Sequence, residues 1–305
     1  MDLLNYDFMQ RALIAAVLVG ITAPAVGIYL VQRRQALMGD GIGHVAMTGV
    51  GLGFLLSWSP VWMAALVSVL GAVLMELIRW YGRTHGDIAL AMLFYGGMAG
   101  GVMFINLAPS GSNANLTSYL FGSLSTVSES DVTAICLLAA FVVLATLGLR
   151  RQLFAVSQDL SLIHEEFARV TGLPVRALNL LTAITAAVTV TVAMRVVGLL
   201  LVSALMVVPV AAAQQLTRSF AATFAIAVAI GITVTIGGTV TSYYQDVPPG
   251  ATIVLLTLGA FVALTALAAP LARRRARATA AVEPFGDPAE CAIPASRGTD
   301  GKVGV

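Results

Sequence analysis

Charged residues are nearly missing from most of this 305-residue chain, and the apolar runs between them are long enough to cross a bilayer. Only 10% of residues are charged, 58% are hydrophobic and the mean hydropathy is +0.91. A water-soluble domain carries about 25% charged residues to cover its surface. Most of this chain must therefore face lipid or other helices that do. Soluble enzyme, nucleic-acid binder and secreted disulfide scaffold are excluded as primary readings. The net charge of +2 says little by itself, and the two cysteines, Cys136 and Cys291, build neither a disulfide framework nor a metal cluster.

A helix needs roughly 20 mainly apolar residues to span the hydrocarbon core. Nine segments qualify, near 11–31, 41–57, 61–79, 87–107, 131–149, 177–194, 196–213, 220–240 and 250–270. The second is short and glycine-rich, and 177–213 is nearly continuous around Arg195. The reading is thus an all-α, polytopic bundle of eight or nine spans, with eight preferred. The first span starts with acids, Asp2 and Asp7, and lacks the basic leader of a signal peptide. Basic residues stay on the cytoplasmic side. Arg33, Arg34, Arg79, Arg83, Arg150, Arg151, Arg169, Arg176, Arg218 and the 273–277 cluster all fall on one side if nine spans alternate from an outside N-terminus. The opposite loops, SWSP, NLAPSGSNANLTS and YYQDVPPG, hold no basic residue, and Arg11 and Arg195 are the exceptions. The C-terminus is then cytoplasmic. Residues 1–270 form the membrane domain, and 271–305, rich in Ala, Arg, Pro and Gly, is expected to be a disordered tail.

Ionisable groups inside a membrane are costly and each requires a reason. The leading pair is Asp40 and His44 in RRQALMGDGIGHVAMTGVGLGFLL. The i, i+4 spacing puts both on one helix face with Cβ atoms about 5–6 Å apart. A carboxylate and an imidazole so placed can share a divalent cation such as zinc or manganese. Two donors make half a site, which a two-fold dimer would double. The competing account makes Asp40 a helix N-cap and His44 a hydrogen-bonded core residue. The surrounding glycines 39, 41, 43, 49, 51 and 53 tilt the balance toward a close-packed or pore-lining helix. Elsewhere, small residues at four-residue spacing (Gly49 and Gly53, Gly96 and Gly100, Gly97 and Gly101) read as helix packing. His85 and Asp87 read as loop and cap residues, Glu76 as a local partner of Arg79, and Asp246 as a turn residue.

The loop RRQLFAVSQDLSLIHEEFARVTGLPVRAL is far more polar than what precedes it. Leu160, Ile163, Phe167 and Val170 recur at helical spacing, and Gly172 and Pro174 end the pattern. Such an amphipathic helix can lie on the membrane or dock in a partner's groove, and its mixed charges favour docking. Enzyme signatures fail. Ala168 stands where H-E-x-x-H needs its second histidine, no G-x-S-x-G occurs, and the sole lysine, Lys302, leaves no Walker A loop.

Five strings occur in the order and spacing of a known family: RRQALMGDGIGH, GDIALAMLFYGGMAGGV, SYLFGSLSTVSESDV, HEEFARVTGLPV and VVGLLLVSALMVVPVAAAQQLTRS. From about Asp7 to Ala272 the chain resembles the permeases of metal-chelate type 3 ATP-binding-cassette importers for zinc, manganese or iron(II). The resemblance implies that Asp40 and His44 coordinate the metal in the translocation path. It further implies that Glu166, Ala168 and Gly172 belong to a coupling helix that docks on a separate cytoplasmic ATPase, and that an extracytoplasmic metal-binding protein delivers the ion. A homodimer in the plasma membrane, without permanent cofactor and with ATP used by the partner subunit, completes the expectation. Two departures stand out: Gly43-His44-Val45 replaces the usual Ser-His-Ala, and Thr48 stands where proline is common. The rival reading is a stand-alone, proton-coupled metal carrier. Such carriers place several ionisable groups at mid-membrane and show inverted repeats; here buried charges are few and no repeat is visible.

Overall fold

Long apolar segments with interior hydrogen bonding are the only economical way to thread this composition through lipid, since each unpaired backbone group there is costly. The structure, a computed structural model, describes residues 6–81, 86–109, 113–123, 128–148, 175–217 and 219–280. Among these residues all regular structure is helical: α1 (Asp7–Gln32), α2 (Met38–Leu55), α3 (Pro60–Tyr81), α4 (Gly86–Leu107), α5 (Asn113–Phe121), α6 (Glu129–Gly148), α7 (Val175–Met194), a 3-10 turn (Leu199–Leu201), α8 (Val202–Leu216), α9 (Phe220–Gln245) and α10 (Pro249–Ala280). Eight spans, one of them the 3-10 turn joined to α8 (Leu199–Leu216), are long and apolar enough to cross a membrane. The long helix that falls short of that description is α2, and it is enclosed: 13 of its 18 residues are buried. The chain divides into two compact units, Met1–Thr265 and Ala266–Val305, and the bundle described here is the first.

Inside the bundle α1 packs against α6, α7, α8 and α9, while α2 packs against α3, α4 and α7. Alanine and valine supply much of the core, with Tyr29, Leu30, Ile42, Ile135 and Leu205 as its larger members. Short side chains let helix axes come close, which replaces the hydrophobic drive that lipid cannot supply. Gly49 faces Ala64 and Gly53 faces Pro60 across α2–α3, and Gly97 and Gly101 face His44 and Met47 across α2–α4. Gly96, by contrast, has no neighbour within 4 Å where a Cβ would stand. Buried threonines return their hydroxyls to the preceding turn, as Thr182 Oγ1 to Leu178 O at 2.8 Å and Thr189 Oγ1 to Thr185 O at 2.7 Å. That hides the polar atom without needing a distant partner.

The ambiguous stretch 177–213 resolves into two helices. Residues 195–201 interrupt them, and Gly198 adopts φ +85°, a left-handed value that side chains with a Cβ rarely tolerate. The last helix continues to Ala280, past the domain boundary expected at 270, because Ala and Arg are strong helix formers. The rest of that expected tail, 281–305, lies outside the described residues.

Charged clusters sit at both ends of the bundle. Where α1 finishes, Arg33 is only 4% exposed, and Glu76 of α3, 2% exposed, accepts a hydrogen bond from Arg79 Nη1 at 2.7 Å. Gln35, with its amide oxygen turned to Arg79, accepts from Nη1 and Nη2 at 2.9 Å. Burial pushes the Arg33 guanidinium down to about 10, opposed by Glu76, and it stays cationic at neutral pH. The expected Glu76–Arg79 pair is therefore present, but its carboxylate is buried and faces a second arginine. At the other end Arg195 pairs with Asp131 of α6 and lies 4.9 Å from the centre of the Tyr119 ring, while Arg11 pairs with Glu129. Removing one partner of a buried pair leaves an uncompensated charge, which costs about 3 kcal/mol or more. Arg79 is partly exposed, so a smaller loss is expected for Glu76→Gln: about 2 kcal/mol, read as a lower melting temperature of the detergent-solubilised protein.

Candidate metal site

Met38 opens α2 directly after the turn that follows α1, so Asp40 falls in the first turn of α2, where a carboxylate complements the helix dipole. His44 follows one turn later on the same face. Asp40 is half-buried and within electrostatic reach of the imidazole, and His44 is 6% exposed. The imidazole Nδ1 is buried and has no hydrogen-bond partner among the described residues. A core histidine would satisfy that nitrogen, because an unpaired buried polar atom costs about 1–3 kcal/mol. Its ring instead meets Phe94 of α4 edge-on, with centroids 4.2 Å apart. One oxygen of Asp40, Oδ1, accepts a hydrogen bond from Ser203 Oγ of α8 at 2.8 Å.

α4 holds this face of α2 in place. A Cβ at Gly97 would stand 2.6 Å from the carbonyl carbon of His44 and from the Val45 nitrogen, so only glycine fits there. Thr48 Oγ1, at the position where the resembled family commonly has proline, donates to the Gly97 carbonyl at 2.8 Å and ties the same crossing. The hydroxyl thus gives Thr48 a packing role. No cluster of three or more His, Cys, Asp or Glu side chains occurs among the described residues, so within them Asp40 and His44 stand as a pair without a third such donor.

The other expected residues divide by place. Glu166, Ala168 and Gly172, with the whole 159–171 amphipathic segment, lie outside the described residues, as does His85; Asp87 lies in the first turn of α4. Asp246 caps α9 in a left-handed conformation, φ 51°, and its N–H donates to Ser242 O, which fits the turn reading. It also lines an open cavity of about 700 Å³ with Phe8, Ser118, Phe121 and Tyr243. Sequence reasoning missed Ser203. Its only signal was a serine just after a helix break, and no spacing rule links it to a carboxylate 163 residues away.

The profile of the ABC 3 transport family matches residues 5–268. The chain belongs to that family. Among similar proteins, the "Probable metal transport system membrane protein" of Treponema pallidum is 33% identical over 188 residues, 61% of this chain and 68% of that one. The manganese transport system membrane protein MntC of Halalkalibacterium halodurans is 31% identical over 189 residues, 62% of this chain and 63% of its own length. The alignments thus span about two thirds of these relatives, a little less in the second. The structure superposes on a chain of PsaBC from Streptococcus pneumoniae, solved in complex with Fab, with a TM-score of 0.75 and 30% identity, covering 86% of this chain and 92% of that one. The chain is accordingly a polytopic, all-α ABC-transporter permease of a metal-transport family.

The α2–α4 crossing gives a direct check. Gly97→Val places atoms against the His44 backbone and is expected to destabilise the permease by about 2 kcal/mol. Gly96→Val, one position away on an open face, is expected to leave its melting temperature unchanged.

Proposed function

We propose that this chain is the membrane-spanning subunit of an importer that moves a divalent transition-metal ion, manganese first and zinc second, across the plasma membrane. The observation that supports this best is the enclosed α2 with Asp40 and His44 on one face and a buried imidazole nitrogen left for a ligand. Carboxylate and imidazole donors suit manganese, zinc and iron(II) alike. The manganese transport system membrane protein MntC of Halalkalibacterium halodurans supports placing manganese first. An incomplete site also suits cargo, since an ion that must leave cannot be caged by a full ligand set.

In this reading the permease performs no covalent chemistry. It works as a homodimer, so that two Asp40–His44 pairs contribute to one path, with two copies of a cytoplasmic ATP-binding subunit. The segment around Glu166, Ala168 and Gly172 receives the stroke of that ATPase. A metal-binding protein delivers the ion on the opposite side. The C-terminus is cytoplasmic, with residues 271–305 following the membrane domain. A stand-alone, proton-coupled carrier finds less support, because the chain belongs to the ABC 3 transport family and its relatives include a manganese transport system membrane protein.

Uptake of Mn²⁺ and Zn²⁺ into cells expressing the chain with its ATPase tests the proposal at matched membrane levels. Asp40→Ala and His44→Ala are each expected to reduce uptake at least tenfold while the ATPase still co-purifies. Wild-type uptake in both variants would return the pair to a structural role. Uptake that persists without the ATPase would favour the carrier.

A further inference from the structure

Among the buried or half-buried hydroxyls of the bundle, Ser203 crosses to another helix, as Thr48 does, but it ends on a carboxylate rather than on a backbone carbonyl. Thr182, Thr185, Thr189, Thr191, Thr235 and Thr257 all donate to a carbonyl three or four residues back on their own helix. That is the default for a hydroxyl in an apolar helix. Ser203 is the second residue of α8, and four residues back lies Leu199, the start of the 3-10 turn. Ser203 Oγ instead crosses to α2 and donates to Asp40 Oδ1 at 2.8 Å. The approach is close because Gly39 lies beside Ser203 and Met206: a Cβ there would stand 3.8 Å from Ser203 Cβ and 3.4 Å from Met206 Sδ.

We propose that Ser203 is a positioning residue for cargo binding: its hydroxyl fixes Asp40 through Oδ1 and leaves Oδ2 directed to the metal beside His44. The proposal rests on the reading of Asp40 and His44 as the transport site. Hydrogen bonds to the free side of a metal-binding carboxylate set its orientation and raise affinity without adding a ligand. They also make the carboxylate one-toothed, which keeps coordination weak enough for the ion to leave. Because Ser203 belongs to the first turn of α8, any shift of α8 relative to α2 loosens or restores that hold. The residue thereby links the helix break at 195–201 to cargo affinity.

The test is initial-rate Mn²⁺ uptake by cells carrying the complete transporter, comparing wild type with Ser203→Ala, Ser203→Thr, Ser203→Val and Asp40→Ala. Rates are normalised to permease that co-purifies with its ATPase. Loss of the hydroxyl is expected to raise KM about tenfold with kcat changed less than twofold, in line with the usual cost of removing such a partner. Threonine keeps the hydroxyl and is expected to stay within twofold of wild type, whereas valine, its near-isostere, behaves like alanine. This Thr–Val split is a readout that a packing role would not move. If Asp40→Ala abolishes uptake but Ser203→Ala and Ser203→Val keep the wild-type KM, the positioning role is overturned and the site reading survives. Equal defects in Thr and Val also overturn it, in favour of packing. Normal uptake by Asp40→Ala overturns the site reading and the positioning role with it.

Discussion

A helix that carries an aspartate, a histidine and a run of glycines cannot face lipid, and α2 is such a helix. Its polar groups would be costly against hydrocarbon, and its glycines would expose backbone there. Burying it requires apolar helices on its flanks. α3, α4 and α7 supply them, with glycine–backbone contact at the α4 crossing and Gly49 and Gly53 against α3. The outward faces of α3 and α4 then carry the lipid-compatible side chains: Leu66, Leu70 and Leu74 on α3, Met92 and Met103 on α4. The enclosure of one polar helix thus organises one side of the bundle around itself.

The broken segment between α7 and α8 works at two levels of the structure. At its start, Arg195 is held by Asp131 and the Tyr119 ring; within it, Gly198 turns the chain; just beyond it, Ser203 meets Asp40. A continuous helix over 177–213 would have carried all three on one rigid rod. Interrupted helices survive where their freed groups are buried in protein, and the 3-10 turn of this one is covered by α2, α5 and α7.

Among the family traits, the departures from the usual pattern have local physical explanations. Thr48, in place of proline, donates to the Gly97 carbonyl and so holds α4 against the site. Gly43, in place of serine, lies against Leu199 and Val190, where a Cβ would come within 2.9 Å of the Leu199 side chain. Both changes act on how tightly α2 is gripped while Asp40 and His44 keep their relative register on one face.

The membrane bundle, the span positions and the Asp40–His44 pair could all be read from the amino-acid order, because hydrophobic length and helical periodicity are local properties of a chain. The same local rules placed the Glu76–Arg79 pair and the turn at Asp246. They left 177–213 ambiguous, since a single glycine in an apolar run does not announce a left-handed φ. Three things were decided by tertiary structure alone: the burial of Arg33 beside Glu76, the pairing of Arg195 with Asp131, and the contact of Ser203 with Asp40. Each joins residues from different helices, and such meetings depend on which helix faces which. Periodicity fixes the face of a helix, but the neighbour it meets is chosen by the packing of the whole bundle.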